Sequence, residues 1–189
     1  MTHHLIPAAA ALMLFAAPAL AQDAAAPATA DTATPEMSGS SAQAMQADLA
    51  GADGTAHGTV EAKPTPSGML HLTIELSDVP QGVYAAHLHE TGLCEGPKFE
   101  SAGGHLAKDG QEHGVLTQGG PHAGDLPNIH VPESGALTVE YFVPDLAADM
   151  ISDSDGTAFM LHEGQDDLTS QPSGDAGGRM VCGVLAPAS

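Results

Sequence analysis

The sequence predicts an all-β fold, a sandwich or barrel of short strands that two long loops interrupt. Apolar and polar residues alternate along residues 69–76, which places four aliphatic side chains on one face of a half-buried strand. Nowhere does the chain sustain the 3.6-residue period of an amphipathic helix. Glycine, proline and aspartate separate the apolar runs, and this composition is typical of the turns between strands.

Eight strands are predicted in order along the chain. The stronger candidates are residues 69–76, 83–90, 136–143, 157–163 and 179–186, and the weaker ones are 45–51, 56–62 and 127–132. Residues 91–126 and 164–178 fit neither a strand nor a helix. Long segments of this kind are usually functional or disordered, so these two loops are expected to carry the functional residues.

The N-terminal residues predict export. The apolar run 5–21 ends in Ala-Leu-Ala, a cleavage pattern typical of a secretory signal peptide over residues 1–21. A short membrane anchor is the alternative, but this run with its two prolines is a weak span. Residues 22–44, rich in Ala, Pro, Thr and Ser, predict a disordered tether. A folded domain is expected over 45–189, with no membrane span in the mature protein.

Charge and cysteine content narrow the function classes. The 189 residues include 4 Lys and Arg against 24 Asp and Glu, a formal net charge of −20. Such a surface repels nucleic acid and anionic lipid. The 11 histidines outnumber the basic residues, which favours metal binding over anion binding. Cys94 and Cys182 in an exported chain predict one disulfide, with two buried free thiols as the alternative.

Histidines cluster around the first long loop. His87 and His89 lie on a predicted strand, where side chains at i and i+2 share a face, so both imidazoles emerge together while Leu88 points into the core. Taken alone, this pair also fits two solvated histidines on an outer face. The chain beyond it supplies further metal-binding side chains: His105, His113, His122, Asp125 and His162.

These motifs resemble the copper/zinc superoxide dismutases, especially the secreted bacterial ones. The resemblance covers residues 48–186 and rests on HLHETGLC, SAGGH, the spacing that ends in HAGDLPNI, MLHEGQDD and GDAGGRMVCGV. It implies an eight-stranded Greek-key β-sandwich, Ig-like and flattened into a barrel. It also implies a disulfide between Cys94 and Cys182, and the periplasm of a Gram-negative bacterium as the location.

The resemblance assigns a role to each site residue. The copper ligands would be His87, His89, His105 and His162, and the zinc ligands His105, His113, His122 and Asp125. His105 would therefore bridge one copper and one zinc ion in each chain. Asp166 would link His87 to His113, and Arg179 would anchor the anionic substrate. Solvated loop acid and surface ion pair are the alternatives for Asp166 and Arg179.

The ligand chemistry agrees with these roles. Four imidazole nitrogens suit Cu(II), and three histidines with one aspartate complete a closed tetrahedral zinc shell. A carboxylate behind metal-binding histidines fixes their tautomers and orientation. Three further histidines, His57, His71 and His130, are expected to be incidental. Glu163 follows His162 on a predicted strand and should point the opposite way.

The resemblance implies conversion of two superoxide anions and two protons into dioxygen and hydrogen peroxide. Copper would alternate between Cu(II) and Cu(I), and His105 would carry a proton. The alternative is an exported module that buffers copper and zinc without turnover. Arg179 and a shared His105 distinguish the two, because a buffer needs neither. A zinc hydrolase needs an open zinc position. The chain is expected to be a monomer or a homodimer. Residues 163–178 contain no lysine, so weak electrostatic steering of superoxide is expected.

Overall fold

Antiparallel strands make up nearly all the regular structure of the described residues. The computed structural model describes residues 43–144 and 146–188, and over these it contains nine strands. They are β1 (Met45–Gly51), β2 (Ala56–Pro64), β3 (Leu70–Leu76), β4 (Gly82–Tyr84), β5 (Ala86–His89), β6 (Ile129–Val131), β7 (Leu137–Val143), β8 (Thr157–His162) and β9 (Arg179–Pro187). In the same residues, the helical parts are one 3-10 turn (Glu100–Ala102) and α1 (Ala148–Ile151). The all-β prediction is confirmed.

Seven of these strands form one curled sheet in the order β5-β8-β9-β1-β2-β3-β7, and β4 pairs with β6. β3 lies beside β7 and β5 beside β8, so the long connections cross between non-consecutive strands, as in a Greek key. The sheet encloses one apolar cluster, to which Leu49, Leu72, Leu88 and Phe159 contribute from four different strands. This confirms the expected flattened barrel.

The alternation in β3 explains why this sheet has one buried face. Leu70, Leu72, Ile74 and Leu76 are each at most 3% exposed, while the residues between them face outward. A slip of one residue would turn all four aliphatic side chains to solvent, so the pattern sets the pairing of β3 with β2 and β7.

One predicted strand, residues 83–90, is two strands in the structure. β4 pairs with β6, whereas β5 pairs with β8. The break falls at Ala85, whose N–H donates to the Gly164 carbonyl at 2.8 Å and whose carbonyl accepts from His162 N–H at 3.0 Å. The chain therefore changes partners at this residue, and nine strands replace the predicted eight.

The disulfide and the N-terminal residues both bear on the predicted export of the protein. Cys94 and Cys182 form the predicted disulfide, with their Cα atoms 5.8 Å apart, and it ties the first long loop to β9. The proposed signal peptide and the tether up to residue 42 lie outside the described residues. Within the part that is described, no helix is long and apolar enough to cross a membrane.

Candidate metal centre

The metal centre forms where the first long loop lies against the open edge of β5. β5 ends the large sheet, and the loop covers this edge with backbone hydrogen bonds. Leu88 N–H donates to the Gly124 carbonyl at 2.9 Å, and Leu106 N–H donates to the Leu88 carbonyl at 2.8 Å. Bridges of the same kind place Asp125 opposite His87 and His105 opposite His89. Pairing at a sheet edge thus brings together residues far apart in sequence.

Four histidines meet on one side of this edge. We call them the strand group, because three of the four lie on β5 or β8: His87, His89, His105 and His162. All four are buried, and their ligand atoms lie within 4.8 Å of one another. The ring centroids of His87 and His105 are 3.8 Å apart, and those of His105 and His162 are 6.0 Å apart. The structure therefore gathers every histidine predicted to bind copper.

The other predicted ligands surround the carboxylate of Asp125. We call them the loop group: His105, His113, His122 and Asp125. The Nδ1 atoms of the three histidines, in that order, lie 2.9, 3.1 and 3.3 Å from an Asp125 oxygen. His105 belongs to both groups, with Nδ1 facing Asp125 in the loop group.

Judged only by the distances between possible ligand atoms, His87 groups with His105, His113 and Asp125, and His122 does not. However, Nε2 of His87 is already bound to Asp166, so only its Nδ1 remains free for a metal. The strand group needs that nitrogen, whereas Nδ1 of His122 faces Asp125. We therefore keep His122 in the loop group and His87 in the strand group.

The donor atoms fit two metal ions. Among the described residues, seven buried ring nitrogens have no hydrogen-bond partner, and all belong to these two groups: His87 Nδ1, His89 Nε2, His105 Nε2, His113 Nδ1, His122 Nδ1 and both nitrogens of His162. An unpaired buried polar atom is costly, and metal ions would satisfy one of these nitrogens on each of the six rings. Imidazoles alone suit copper, and imidazoles with one carboxylate suit zinc.

A second carboxylate, that of Asp166, contacts one histidine of each group through the ring nitrogen that does not face a metal. Asp166 Oδ2 lies 2.8 Å from His87 Nε2, and Asp166 Oδ1 lies 3.0 Å from His113 Nε2. Each ring then keeps its Nδ1 for a metal. Asn128 holds Asp166 in place, since its side chain exchanges two 2.9 Å hydrogen bonds with the Asp166 backbone. Asp166 is 1% exposed, so it is no solvated loop acid.

Burial keeps the strand histidines in the neutral form that binds metals. It lowers the pKa of His87 to about 4, that of His89 to about 2 and that of His162 to about 3. Burial acts to raise the pKa of Asp166, but hydrogen bonds from His87 and His113 outweigh it and bring the pKa to about 2. Hydrogen bonds from His105 and Gly114 likewise outweigh burial at Asp125 and lower its pKa.

A cavity of about 800 Å³ opens onto the strand group, and Arg179 lies in its wall beside His89, His105 and His162. The guanidinium is half-buried and donates to the carbonyls of Phe99 and Gly103, each at 2.6 Å. The Gly103 carbonyl also accepts from His89 Nδ1 at 3.0 Å. One carbonyl thus orients both the arginine and a histidine of the strand group.

The cavity wall also holds charged residues that sequence reasoning did not place there. Glu163 was expected to point away from His162, but both line the cavity. The reason is that β8 ends at His162, after a shift in its pairing with β9, so alternation does not extend to Glu163. Lys98 and Glu100 line the same wall.

The three histidines expected to be incidental stay outside both groups. His71 pairs with Glu140 on the outer face of the sheet, its Nε2 lying 2.9 Å from Oε1. His57 lies 3.3 Å from the Ser77 carbonyl through its Nδ1, and His130 is exposed. In contrast, sequence reasoning missed Asn128 and Gln171, whose amides bind distant backbone and carry no spacing signal.

Comparison with known proteins agrees with this geometry. Residues 54–185 match the family model described as copper/zinc superoxide dismutase (SODC). The chain is 39% identical over 145 residues to superoxide dismutase [Cu-Zn] 1 of Aquifex aeolicus, covering 74% of this chain and 85% of that one. It is 38% identical over 140 residues to superoxide dismutase [Cu-Zn] of Caulobacter vibrioides, covering 70% and 80%.

Solved structures show the same fold. A superoxide dismutase-like protein from Bacillus subtilis matches with a TM-score of 0.71 at 37% identity, covering 75% of this chain and 97% of that one. Cu/Zn superoxide dismutase from Brucella abortus matches with a TM-score of 0.64 at 26% identity, covering 76% and 100%. The chain therefore belongs to the copper/zinc superoxide dismutase family.

Proposed function

We propose that the chain is a copper/zinc superoxide dismutase that converts superoxide into dioxygen and hydrogen peroxide. The strand group would hold copper and the loop group would hold zinc. The observation that supports this most directly is the position of His105. Its Nδ1 faces Asp125 in the loop group, and its Nε2 is a buried atom without a hydrogen-bond partner in the described structure. One ring thus offers a nitrogen to each ion.

The residues of the cavity supply binding and proton transfer. Bound copper would provide one-electron chemistry by cycling between Cu(II) and Cu(I). Arg179 keeps its charge, and the carbonyls of Phe99 and Gly103 hold its guanidinium at the cavity wall, where it can bind a small anion. His105 Nε2 is the nitrogen placed to hold a proton and pass it on to the product, while Nδ1 stays with the loop group.

A metal-buffering module is not favoured. A buffer would use the same ligands but has no need of a guanidinium fixed beside them. Arg179 lines the cavity with three histidines of the strand group, which is the arrangement expected for an anionic substrate. A zinc hydrolase is not favoured either, because the loop group provides four protein ligands and leaves no open position.

The disulfide fits an exported protein. We propose the periplasm of a Gram-negative bacterium as its location, since the predicted signal peptide over residues 1–21 indicates export and the resemblance is to secreted bacterial members of the family. Each chain carries both donor groups in full, so the functional unit would be one chain, whether in a monomer or a homodimer.

The test is superoxide dismutation by the reconstituted protein, compared with Arg179→Ala. We expect the variant to bind copper and zinc as the parent does and to lose about tenfold or more in kcat/KM, because it lacks the charged hydrogen-bond donor that anchors the anion beside the strand group. Lys63→Ala is the matched control, since it removes the same charge from the exposed outer sheet. Full metal loading of the parent without dismutation would overturn the proposal.

A further inference from the structure

The side chain of Gln171 binds both polar groups of the His113 backbone. His113 N–H donates to Gln171 Oε1 at 2.8 Å, and Gln171 Nε2 donates to the His113 carbonyl at 2.8 Å. The two residues are 58 positions apart and belong to the two different long loops. The Gln171 side chain therefore gives the His113 backbone the two hydrogen bonds that a neighbouring strand would otherwise supply.

Among the described residues, the N–H and the carbonyl of His113 have no hydrogen-bond partner other than Gln171, while the next N–H, that of Gly114, donates to Asp125 Oδ2 at 2.9 Å. His113 is completely buried, yet it lies in a loop between β5 and β6. Its ring must aim Nε2 at Asp166 and Nδ1 at Asp125, at 3.0 and 3.1 Å. A ring can keep two such directions only if its backbone stays in place, and the hydrogen bonds with Gln171 hold that backbone.

The turn that carries Gln171 also closes over the link between His113 and Asp166. Gly174 N–H donates to the Ser170 carbonyl at 2.7 Å, and Asp167 N–H donates to the Gly174 carbonyl at 2.9 Å. Gly174 has a φ of +70°, and a Cβ there would collide with Asp166 Oδ1 and approach His113 Nε2 to 2.6 Å. A side chain at position 174 would therefore displace the hydrogen bond between His113 and Asp166.

We propose that Gln171 is a positioning residue for the loop group, which keeps His113 aligned and slows the release of zinc. The inference rests on the proposed function for the identity of the metal. It assigns no contact between Gln171 and either ion. The effect of Gln171 on the loop group passes through the His113 backbone, and its only other side-chain hydrogen bond among the described residues stays within its own turn, from Nε2 to the Thr169 carbonyl at 3.0 Å.

The experiment compares Gln171→Met, which keeps the length of the side chain but lacks both polar atoms, with the parent protein. In the metal-free protein, we expect hydrogen exchange at the His113 amide to become about tenfold faster or more, because its acceptor is gone. After loading with zinc alone, release to a chelator should be about tenfold faster, as for other groups that orient metal ligands.

Thr117→Val is the matched control, because Thr117 also joins the two loops, through a 3.4 Å hydrogen bond to the Thr169 carbonyl, but does not touch His113. Gln171→Glu keeps the acceptor and loses the donor, so it should restore protection of the His113 amide while zinc release stays fast. Equal exchange and equal zinc release in Gln171→Met and Thr117→Val would overturn the inference.

Two further outcomes are assigned in advance. If Gln171→Met fails to fold, Gln171→Glu is compared with Thr117→Val instead. The inference is then overturned if Gln171→Glu releases zinc no faster than Thr117→Val does. If the parent protein does not retain zinc, the proposed function fails, whereas amide exchange in the metal-free protein still decides the role of Gln171.

Discussion

The strand group and the loop group share His105 but are built on different kinds of backbone. His87 and His89 lie on β5, in a ladder of hydrogen bonds with β8, and His162 ends β8, where it pairs with Arg179 of β9. His113, His122 and Asp125 lie in a loop, where side chains such as Asp166 and Gln171 supply the contacts. A sheet is ordered before any metal arrives, whereas a loop keeps more freedom to lose on binding. The strand group is therefore the more preorganised of the two.

Removing one ligand from each group should reveal the difference between the two groups most clearly. We expect His162→Ala to lower dismutation by at least about 100-fold, more than is typical for groups that only orient ligands, and to leave zinc bound. His122→Ala should release zinc, loosen the loop and keep bound copper with part of the activity. Metal content and dismutation rate, measured on both variants, check the prediction. Equal losses of both metals in both variants would contradict the distinction between the groups.

Acid should destabilise the metal-free protein through the buried strand histidines His87, His89 and His162. The pKa values of His87, His89 and His162 fall to about 4, 2 and 3 on folding, below the value near 6.5 of an unfolded histidine. Between these values the unfolded chain binds more protons, so the free energy of unfolding decreases as the pH falls below about 6.5. At pH 5.5 the loss should be about 1 kcal/mol per histidine.

Urea unfolding of the metal-free protein at pH 7 and 5.5 measures this loss. His89→Gln removes one of the depressed histidines and should reduce the difference between the two pH values. His130→Gln is the control, because His130 is exposed and outside both groups. A pH dependence in His89→Gln as steep as in the parent would refute the assignment.

The smallest expected effect is that of salt on the encounter with superoxide. Lys98 and Arg179 line the cavity, but Glu100 and Glu163 line it too, and Lys98 Nζ lies 3.8 Å from Glu100 Oε1. The four charged side chains of the wall balance and add nothing to the charge of the bound ions, so kcat/KM should change less than about threefold between low and physiological ionic strength. Glu163→Gln should raise kcat/KM and make it more sensitive to salt. A steep fall with salt in the parent protein would show that the cavity attracts anions strongly.

Local sequence was sufficient to predict most strands, whereas the membership of both donor groups was predicted from the resemblance to a known family. The alternation in β3 and the His-x-His pair in β5 are written in neighbouring residues, because a strand exposes every second side chain. The same rule failed at Glu163 and at Ala85. In both places a backbone hydrogen bond from another segment ends or redirects the strand, and such a partner leaves no periodic trace in the sequence.

Short-range patterns are enough to predict that the fold is all-β and that Cys94 and Cys182 form a disulfide. Which nitrogen of each ring is free, how Asp166 joins the two groups and why Gln171 matters emerge only in the folded chain. The two kinds of feature depend on interactions of different range. Side-chain periodicity acts over a few residues, whereas the contacts of Asp166 and Gln171 span 53 to 79 positions and exist only once the sheet has curled.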